Sequence, residues 1–378
     1  MLDRDQSVRI DLIRFPLIVA VVFDHAWESV LQFGSTHVTL APDGFAAAFA
    51  YNFIGRGMGF AAVLFFFISG FLFFHGLDWS GPAYLKKVRS RAFTLLIPFL
   101  FWNVLYLVIY AVAQKLSITS QYFAGGLPTF SELGPAGILN FIFGITRNPV
   151  AFQFWFIRDL IVLVLLTPVF HLMHYKRSYL VFLPILFAIW YFGLVSTIPK
   201  TQSIFFFYAG SVLAAKQKNP FCTDRYGWAV LLAWLAVISL DTLFPERVLL
   251  HNANIGVGVF AALYFSKALL PQRIRQALIW LSAFGFFIFA FHEPFTGFIQ
   301  RVIVRFYAPQ DDITKLLLFF TITFAVIAIS IGLNRALGIV FPRFTSIITG
   351  GRTTRPKKEV EHVLPSVYAI KEIKSPSE

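Results

Sequence analysis

Ionisable side chains cluster in the first apolar segment of the chain, where a membrane helix normally carries few of them. Asp11, Arg14, His25 and Glu28 lie within or at the edge of residues 12–31. At 100° per residue, the eleven steps from Arg14 to His25 bring these side chains within about 20° of one direction. Asp11 and Glu28 fall about 40° to either side of that direction. A helix here therefore presents two acids, a guanidinium and an imidazole along one face.

This face has the groups needed to hold an anion at one end and to move a proton at the other. Arg14 and His25 are separated by roughly 16 Å along the helix axis. A neutral imidazole is a suitable general base, a neighbouring carboxylate orients it, and a guanidinium pairs well with phosphate. The simpler alternative is that Asp11 and Arg14 form an interfacial ion pair and that His25 is a buried hydrogen-bonding residue. We favour the functional interpretation, because ionisable groups at membrane depth are costly and usually serve a function.

The composition indicates that this face belongs to a membrane protein. Hydrophobic residues make up 57% of the 378, and charged residues only 13%, about half the usual share in a soluble domain. The formal net charge of +13 does not indicate nucleic-acid binding, because the basic residues occur in short runs between apolar segments, as the positive-inside rule predicts. The single cysteine, Cys222, excludes a disulfide framework within the chain. The pair His171 and His174 lacks matching ligands nearby, and no metal is expected.

The apolar segments predict an all-α, polytopic integral membrane protein with about ten transmembrane helices. They are residues 12–31, 57–77, 92–113, 152–174, 179–196, 203–215, 228–244, 255–270, 277–298 and 316–340. Lys and Arg are roughly three times as frequent in the loops on the side of the N-terminus, which predicts that both termini are cytoplasmic. The domains are then a transmembrane domain over residues 1–342 and a polar tail over 343–378, expected to be disordered.

Six short motifs, in order over about residues 9–340, resemble those of the membrane-bound acyltransferase 3 family. They are Arg14 followed by His25 after ten residues, Phe65–Phe71 (FFFISGF), the basic run Lys86–Arg91 before Leu95–Phe99 (LLIPF), Phe154–Leu160 (FWFIRDL), Phe205–Gly210 (FFFYAG) and Phe289–Phe295 (FAFHEPF). One departure concerns the third helix, where many members carry an Arg-x-x-Arg pair and this chain has Thr94 three residues after Arg91. In the second motif, Gly70 suits close helix packing.

The resemblance implies an O-acetyltransferase that moves an acetyl group from cytoplasmic acetyl-CoA to a hydroxyl of an extracytoplasmic or lipid-linked carbohydrate. His25 would be the general base, supported by the carboxylates of Glu28 and Asp11. The cations implied for acetyl-CoA binding are Arg14, Lys87, Arg89 and Arg91. Trp155, Arg158 and His292 are candidate substrate contacts, each with a structural alternative: an interfacial anchor, an ion pair with Asp159, and a helix cap, respectively.

The resemblance also implies where the protein acts and with what. The expected setting is a bacterial inner membrane, with membrane lipids, a carbohydrate acceptor and polysaccharide-assembly proteins as partners, without an appended soluble esterase-like domain. One alternative is a secondary transporter or flippase for a sugar or anion, in which the same ionisable residues form the proton or substrate path. Another is a non-catalytic scaffold in polysaccharide export. Inverted repeats would favour transport, and the polar first segment has no counterpart in the second half of the sequence.

Overall fold

A computed structural model describes residues 3–352 apart from 27–29, 34–35, 40–43, 118, 120–127, 131–132 and 269. Within these residues the chain forms sixteen α-helices and one β-hairpin. The helices are α1 (Arg4–Asp24), α2 (Phe45–Phe49), α3 (Phe60–Phe74), α4 (Gly81–Arg91), α5 (Ile97–Lys115), α6 (Pro135–Phe143), α7 (Trp155–Leu165), α8 (Thr167–Met173), α9 (Tyr179–Tyr191), α10 (Thr201–Ala215), α11 (Gly227–Leu243), α12 (Val248–Phe265), α13 (Gln272–Ser282), α14 (Gly285–Phe306), α15 (Asp312–Val340) and α16 (Pro342–Ile348). Short 3₁₀ or π-helical turns occupy Ala50–Gly55, Arg56–Met58, Ala92–Leu96, Phe152–Phe154, Tyr175–Arg177 and Cys222–Tyr226.

The first helix ends earlier than its hydropathy predicts. The first span was expected to reach residue 31, whereas α1 ends at Asp24 and His25 is its C-terminal cap. Strands β1 (Val30–Phe33) and β2 (Thr36–Thr39) then pair antiparallel, with Val30 opposite Thr39. Hydropathy treats this apolar stretch as a continuation of the span, although its β-branched residues favour extended backbone. His25 is therefore presented at the end of the helix.

Several described helices have the length and composition of membrane spans. Five qualify individually, and up to seven qualify if each of two bent pairs is one span. They are Ala50–Phe74, Gly81–Lys115, Cys222–Leu243, Val248–Phe265 and Asp312–Val340, with the bent pairs α7–α8 (59°) and α13–α14 (65°). Helices α9 and α10 are apolar but shorter, and α1 carries six charged residues. Ten spans and cytoplasmic termini remain predictions.

Close helix contacts bring the core together around α3. Helix α3 packs along α10, and each contributes one glycine to the contact. A side chain at Gly70 would overlap the Phe207 carbonyl, and one at Gly210 would overlap the Phe67 carbonyl. Small residues let helix backbones approach closely in a membrane, where packing rather than water exclusion holds helices together. The packing role predicted for Gly70 is confirmed.

The N-terminal half of α1 is anchored by a buried arginine. Arg9 donates to both carboxylate oxygens of Asp224, at 2.6 and 3.1 Å, and to Ser266 Oγ at 2.9 Å. It also donates to the Leu263 carbonyl at 2.8 Å, and its guanidinium lies 3.7 Å from the centre of the Phe221 ring. A buried charge is tolerated when its donors are paired in this way. These contacts fix α1 against α12 and the turn that precedes α11.

The last described segment packs onto the helical domain. Helix α16 contacts α5, and Trp102 Nε1 donates to the Ile348 carbonyl at 3.0 Å. Residues 342–352 therefore lie with the membrane domain, beyond the boundary expected at residue 342. The rest of the predicted tail, residues 353–378, lies outside the described residues.

Candidate active site

The C-terminal end of α1 places His25 among aromatic residues from two other parts of the chain. Its ring lies 5.7 Å from Phe152, edge-on, and 5.6 Å from the ring of His292 at an interplanar angle of 30°. His25 is half-buried. Helix α14 packs against α1 and against the turn Phe152–Phe154, so three separate segments meet at this histidine. The structure thus brings together His25 and His292, two of the residues predicted for the site.

The tautomer of His292 follows from its surroundings. His292 is fully buried, and its Nδ1 lies 2.8 Å from the Phe289 carbonyl and 3.2 Å from the Ile288 carbonyl. Carbonyl oxygens only accept, so Nδ1 carries the proton and Nε2 of the neutral ring is an acceptor. Among the described residues, Nε2 has no hydrogen-bond partner. His292 therefore offers a lone pair beside His25, and its neutral ring cannot donate to an oxyanion.

A network around Asp159 fixes the start of α10 beside Trp155. Asp159 is fully buried and accepts from the Lys200 backbone N–H at 2.8 Å and from Ser203 Oγ at 2.9 Å. The Lys200 ammonium lies 3.8 Å from the centre of the Trp155 ring. Trp155 follows Phe152 by three residues and so lies on the same side of the chain as the ring that contacts His25. Lys200 is close enough to interact electrostatically with His25 and Asp24.

Arg158, predicted as a candidate substrate contact, has structural partners instead. Its Nε and Nη2 donate to Asp159 Oδ1 at 3.0 and 2.8 Å. Its Nη1 donates to the carbonyls of Gly144 and Arg147 at 2.8 and 3.0 Å. Only 6% of Arg158 is exposed. The alternative reading, an ion pair with Asp159, describes this residue correctly, because its donors are satisfied within the protein.

A second buried carboxylate, that of Asp241, lies near Arg56. Asp241 accepts from Asn254 Nδ2 at 3.1 Å, and it lies 2.9 Å from His251 Nδ1 and 3.4 Å from Arg56 Nη1. Arg56 also interacts electrostatically with Asp24. Protein surrounds Asp24, yet its side chain remains exposed. Asp24 therefore lies next to His25, within electrostatic range of the cations Arg56 and Lys200.

A group of three arginines lies beside the middle of α1, roughly 16 Å from His25 along the helix axis. Arg14 pairs with Asp11 at 2.5 Å, and both side chains remain partly exposed, at 43% and 36%. Arg91, at the end of α4, interacts electrostatically with Arg14. Arg352 donates to the Thr94 and Thr349 carbonyls at 3.3 and 3.0 Å. Desolvation, followed by the charges of Arg91 and Arg14, lowers the pKa of Arg352 to about 10.

These arginines form a cationic site that is open to solvent. We call Arg14, Arg91 and Arg352 the arginine cluster. A pKa of about 10 leaves Arg352 protonated near pH 7, so three like charges lie near one another with one carboxylate, Asp11, to balance them. Such an arrangement favours a polyanionic ligand, and guanidinium groups suit phosphate.

The remaining predicted residues have separate positions. Asp11 pairs with Arg14 roughly 21 Å along the helix from His25, so the structure does not bring it to the histidine as a catalytic acid. Lys87 lies 5.3 Å from the Phe73 ring, and Arg89 is exposed on α4. Glu28 lies outside the described residues. No group of three or more His, Cys, Asp or Glu residues within the described part could hold a metal ion.

Two residues of the site were missed by sequence reasoning. Lys200 lies between the predicted spans 179–196 and 203–215, and Arg352 lies in the predicted polar tail, so neither was assigned to the site. The basic character of each was visible in the sequence, but its position depends on contacts with distant residues: Asp159 and Trp155 for Lys200, and Thr94 for Arg352. Gly350, with φ of +64°, lets this segment approach Thr94, whose carbonyl any side chain there would overlap.

Comparisons with known proteins show the family to which the chain belongs. The sequence model of the family described as an acyltransferase domain, acyltransferase 3, matches residues 7–335. The chain is also similar to the succinoglycan biosynthesis protein ExoH of Rhizobium meliloti (strain 1021), with 26% identity over 375 residues, covering 93% of this chain and 94% of that protein. No solved structure matches the chain. The family match spans α1 with both His25 and Arg14, the basic end of α4 and the helix that carries His292, and the chain therefore belongs to the acyltransferase 3 family of integral membrane proteins.

Proposed function

We propose that this protein is an acetyl-CoA-dependent O-acetyltransferase that acetylates a hydroxyl of an extracytoplasmic or lipid-linked carbohydrate. The observation that carries the proposal is the placement of two different groups at two positions along α1 that are roughly 16 Å apart. The arginine cluster lies beside the middle of α1, and His25 lies at its C-terminal end with His292 and Lys200. A CoA thioester has the matching polarity, because its phosphates lie at one end and its reactive carbonyl at the other.

In the proposed reaction, the arginine cluster binds the phosphates of acetyl-CoA and the thioester reaches His25. The acceptor hydroxyl gives its proton to His25 as its oxygen bonds to the carbonyl carbon. The intermediate then collapses, the carbon–sulfur bond breaks, and the imidazolium returns the proton to the thiolate. The products are the acetyl ester and CoA with a free thiol. His25 ends in its starting state, and no external proton is consumed.

The carbohydrate acceptor is supported by the relative. The Rhizobium meliloti protein is named for the biosynthesis of succinoglycan, a polysaccharide, and the similarity extends over nearly all of both chains. An exopolysaccharide repeating unit is therefore our first choice of acceptor.

The proposal is tested by acetyl-CoA turnover in purified protein. Free-thiol release is followed with and without a panel of glycans, in wild type, His25→Ala and His75→Ala. We expect His25→Ala to lower kcat by about 10²–10⁴-fold. His75, half-buried at the end of α3 against Phe71, is the matched control and should leave kcat unchanged. Transfer of labelled acetyl to one glycan identifies the acceptor.

The transporter alternative predicts a different pattern. In proteoliposomes, a transporter would move a sugar or anion without forming an acetyl ester, and His25→Ala would change that flux. A wild-type protein that forms no ester and releases no thiol with any donor or glycan would refute the acetyltransferase proposal.

A further inference from the structure

Acyl transfer to a hydroxyl creates a negative charge on the former carbonyl oxygen, and this charge needs a donor. Removing one such donor typically costs about 10²–10³-fold in kcat. Arg158 is bound to Asp159 and to two main-chain carbonyls. The neutral His292 ring has its proton on Nδ1, facing its own helix. Neither of these two predicted substrate contacts can therefore donate to the oxyanion.

Lys200 has the charge and the position that this task requires. Its backbone is held by Asp159, so the residue stays at the start of α10. Its ammonium lies 3.8 Å from the centre of the Trp155 ring, which leaves the N–H groups on the side away from the ring free to meet a ligand. Within the described part of the chain, no carboxylate lies within 4.0 Å of this ammonium to form a salt bridge.

The position of Lys200 also separates it from the arginine cluster. Lys200 interacts with His25 and Asp24, at the end of α1 that lies roughly 16 Å from Arg14. The arginine cluster already provides three cations for the phosphates of the donor. A further cation beside the proton-accepting histidine lies where the thioester carbonyl must react.

We propose that Lys200 is a catalytic residue whose ammonium stabilises the oxyanion formed when the acceptor hydroxyl attacks the thioester. The inference rests on the proposed acetyltransferase function. As the carbon–oxygen bond forms, the π electrons of the carbonyl move onto its oxygen, where the ammonium of Lys200 donates a hydrogen bond. When the intermediate collapses, these electrons re-form the carbonyl, the thiolate leaves, and Lys200 keeps its proton throughout.

This role gives the reaction a particular pH dependence. Burial lowers the pKa of Lys200, Asp159 and Asp24 oppose that shift, and Arg158 adds to it. Lys200 acts only when protonated, so kcat should fall as the pH rises through its lowered pKa. His25 acts only when neutral, so kcat should rise with pH on the acid side. The charged or titratable groups facing this region are Asp24 and His25 from α1, Arg56 beside Asp24, Arg158 and Asp159 from α7, and His292 from α14.

The test compares Lys200→Met, Lys200→Arg and the control Lys115→Met over a pH series, with acetyl-CoA and the acceptor identified for the wild type. Lys115 is an exposed lysine at the end of α5. We expect Lys200→Met to lower kcat by about 10²–10³-fold with little change in KM for acetyl-CoA. Lys200→Arg should retain much more activity, and its decline at alkaline pH should vanish because arginine keeps its proton.

Two outcomes would overturn the proposal. One is a Lys200→Met variant that keeps kcat within about fivefold of wild type, well below the loss expected for an oxyanion donor. The other is an equal loss in the Met and Arg variants, because charge would then be irrelevant. Binding of acetyl-CoA by each variant shows that it is folded. Thiol release in wild type that depends on His25 establishes the proposed function separately, so failure of one hypothesis is distinguishable from failure of the other.

Discussion

Arg352 provides the sharpest test of the arginine cluster, because no feature of the sequence assigned it to donor binding. Replacing it with Met keeps a long, flexible side chain and removes the charge. A hydrogen bond to a charged group contributes about 1.5–3 kcal/mol, and 1.4 kcal/mol corresponds to about tenfold in affinity. Arg352 remains accessible to solvent, and Arg14 and Arg91 share the same ligand. We therefore take the lower limit and expect KM for acetyl-CoA to rise about tenfold.

The position of Arg352 also predicts what should not change. The cluster lies roughly 16 Å from the end of α1 that carries His25. Loss of a contact that is equally strong before and during the reaction raises KM and leaves kcat unchanged. The effect should also shrink as salt is added, because screening weakens exposed charge interactions. Thiol release at several acetyl-CoA concentrations and two ionic strengths measures all three quantities.

A donor without phosphates supplies the control. S-acetyl-N-acetylcysteamine carries the same thioester but no phosphate, so Arg352→Met and wild type should use it equally well. Arg343→Met, at an exposed position of α16, should behave as wild type with both donors. The reasoning is refuted if Arg352→Met leaves KM for acetyl-CoA unchanged, or if it impairs the phosphate-free donor to the same extent. Thermal unfolding in detergent monitors the loss of the bonds to Thr94 and Thr349.

Two further substitutions test structural assignments. Arg158→Met leaves the buried Asp159 carboxylate without its cation and should destabilise the fold by about 3–5 kcal/mol, seen as a lower unfolding temperature. A KM effect in protein of unchanged stability would restore Arg158 as a substrate contact. Gly70→Ala forces a methyl group against the Phe207 carbonyl and should cost about 1–3 kcal/mol, whereas Gly332→Ala, where a side chain meets only open space, should be neutral in the same assay.

The sequence predicted the local features of the site better than its distant contacts. Helix periodicity places Arg14 and His25 on one face, and in the structure they join different clusters roughly 16 Å apart along α1. The packing role of Gly70 was also predictable, because a glycine within a bulky aromatic run has few other uses. Its partner, Gly210, lies 140 residues away, and local pattern carries no information about such pairs. For the same reason, sequence reasoning did not assign Lys200 and Arg352 to the site.

Two errors have physical causes. The first span was extended to residue 31 because hydropathy measures transfer to lipid and does not distinguish a helix from a strand, so the hairpin after His25 was missed. Asp11 was grouped with the catalytic residues because it shares the helix face. Angular position alone ignores distance along the axis, and Asp11 lies near enough to Arg14 to pair with it.

The tautomer of His292 favours acyl transfer over proton transport. A histidine that relays protons must exchange them at both ring nitrogens, taking one at the first and releasing one at the second. Nδ1 of His292 faces the main-chain carbonyls of its own helix, and this nitrogen cannot pass a proton onward there. A proton taken up by His25 therefore cannot pass onward through His292. A general base requires this behaviour, since it takes a proton from the attacking hydroxyl and returns it to the leaving thiolate at the same site.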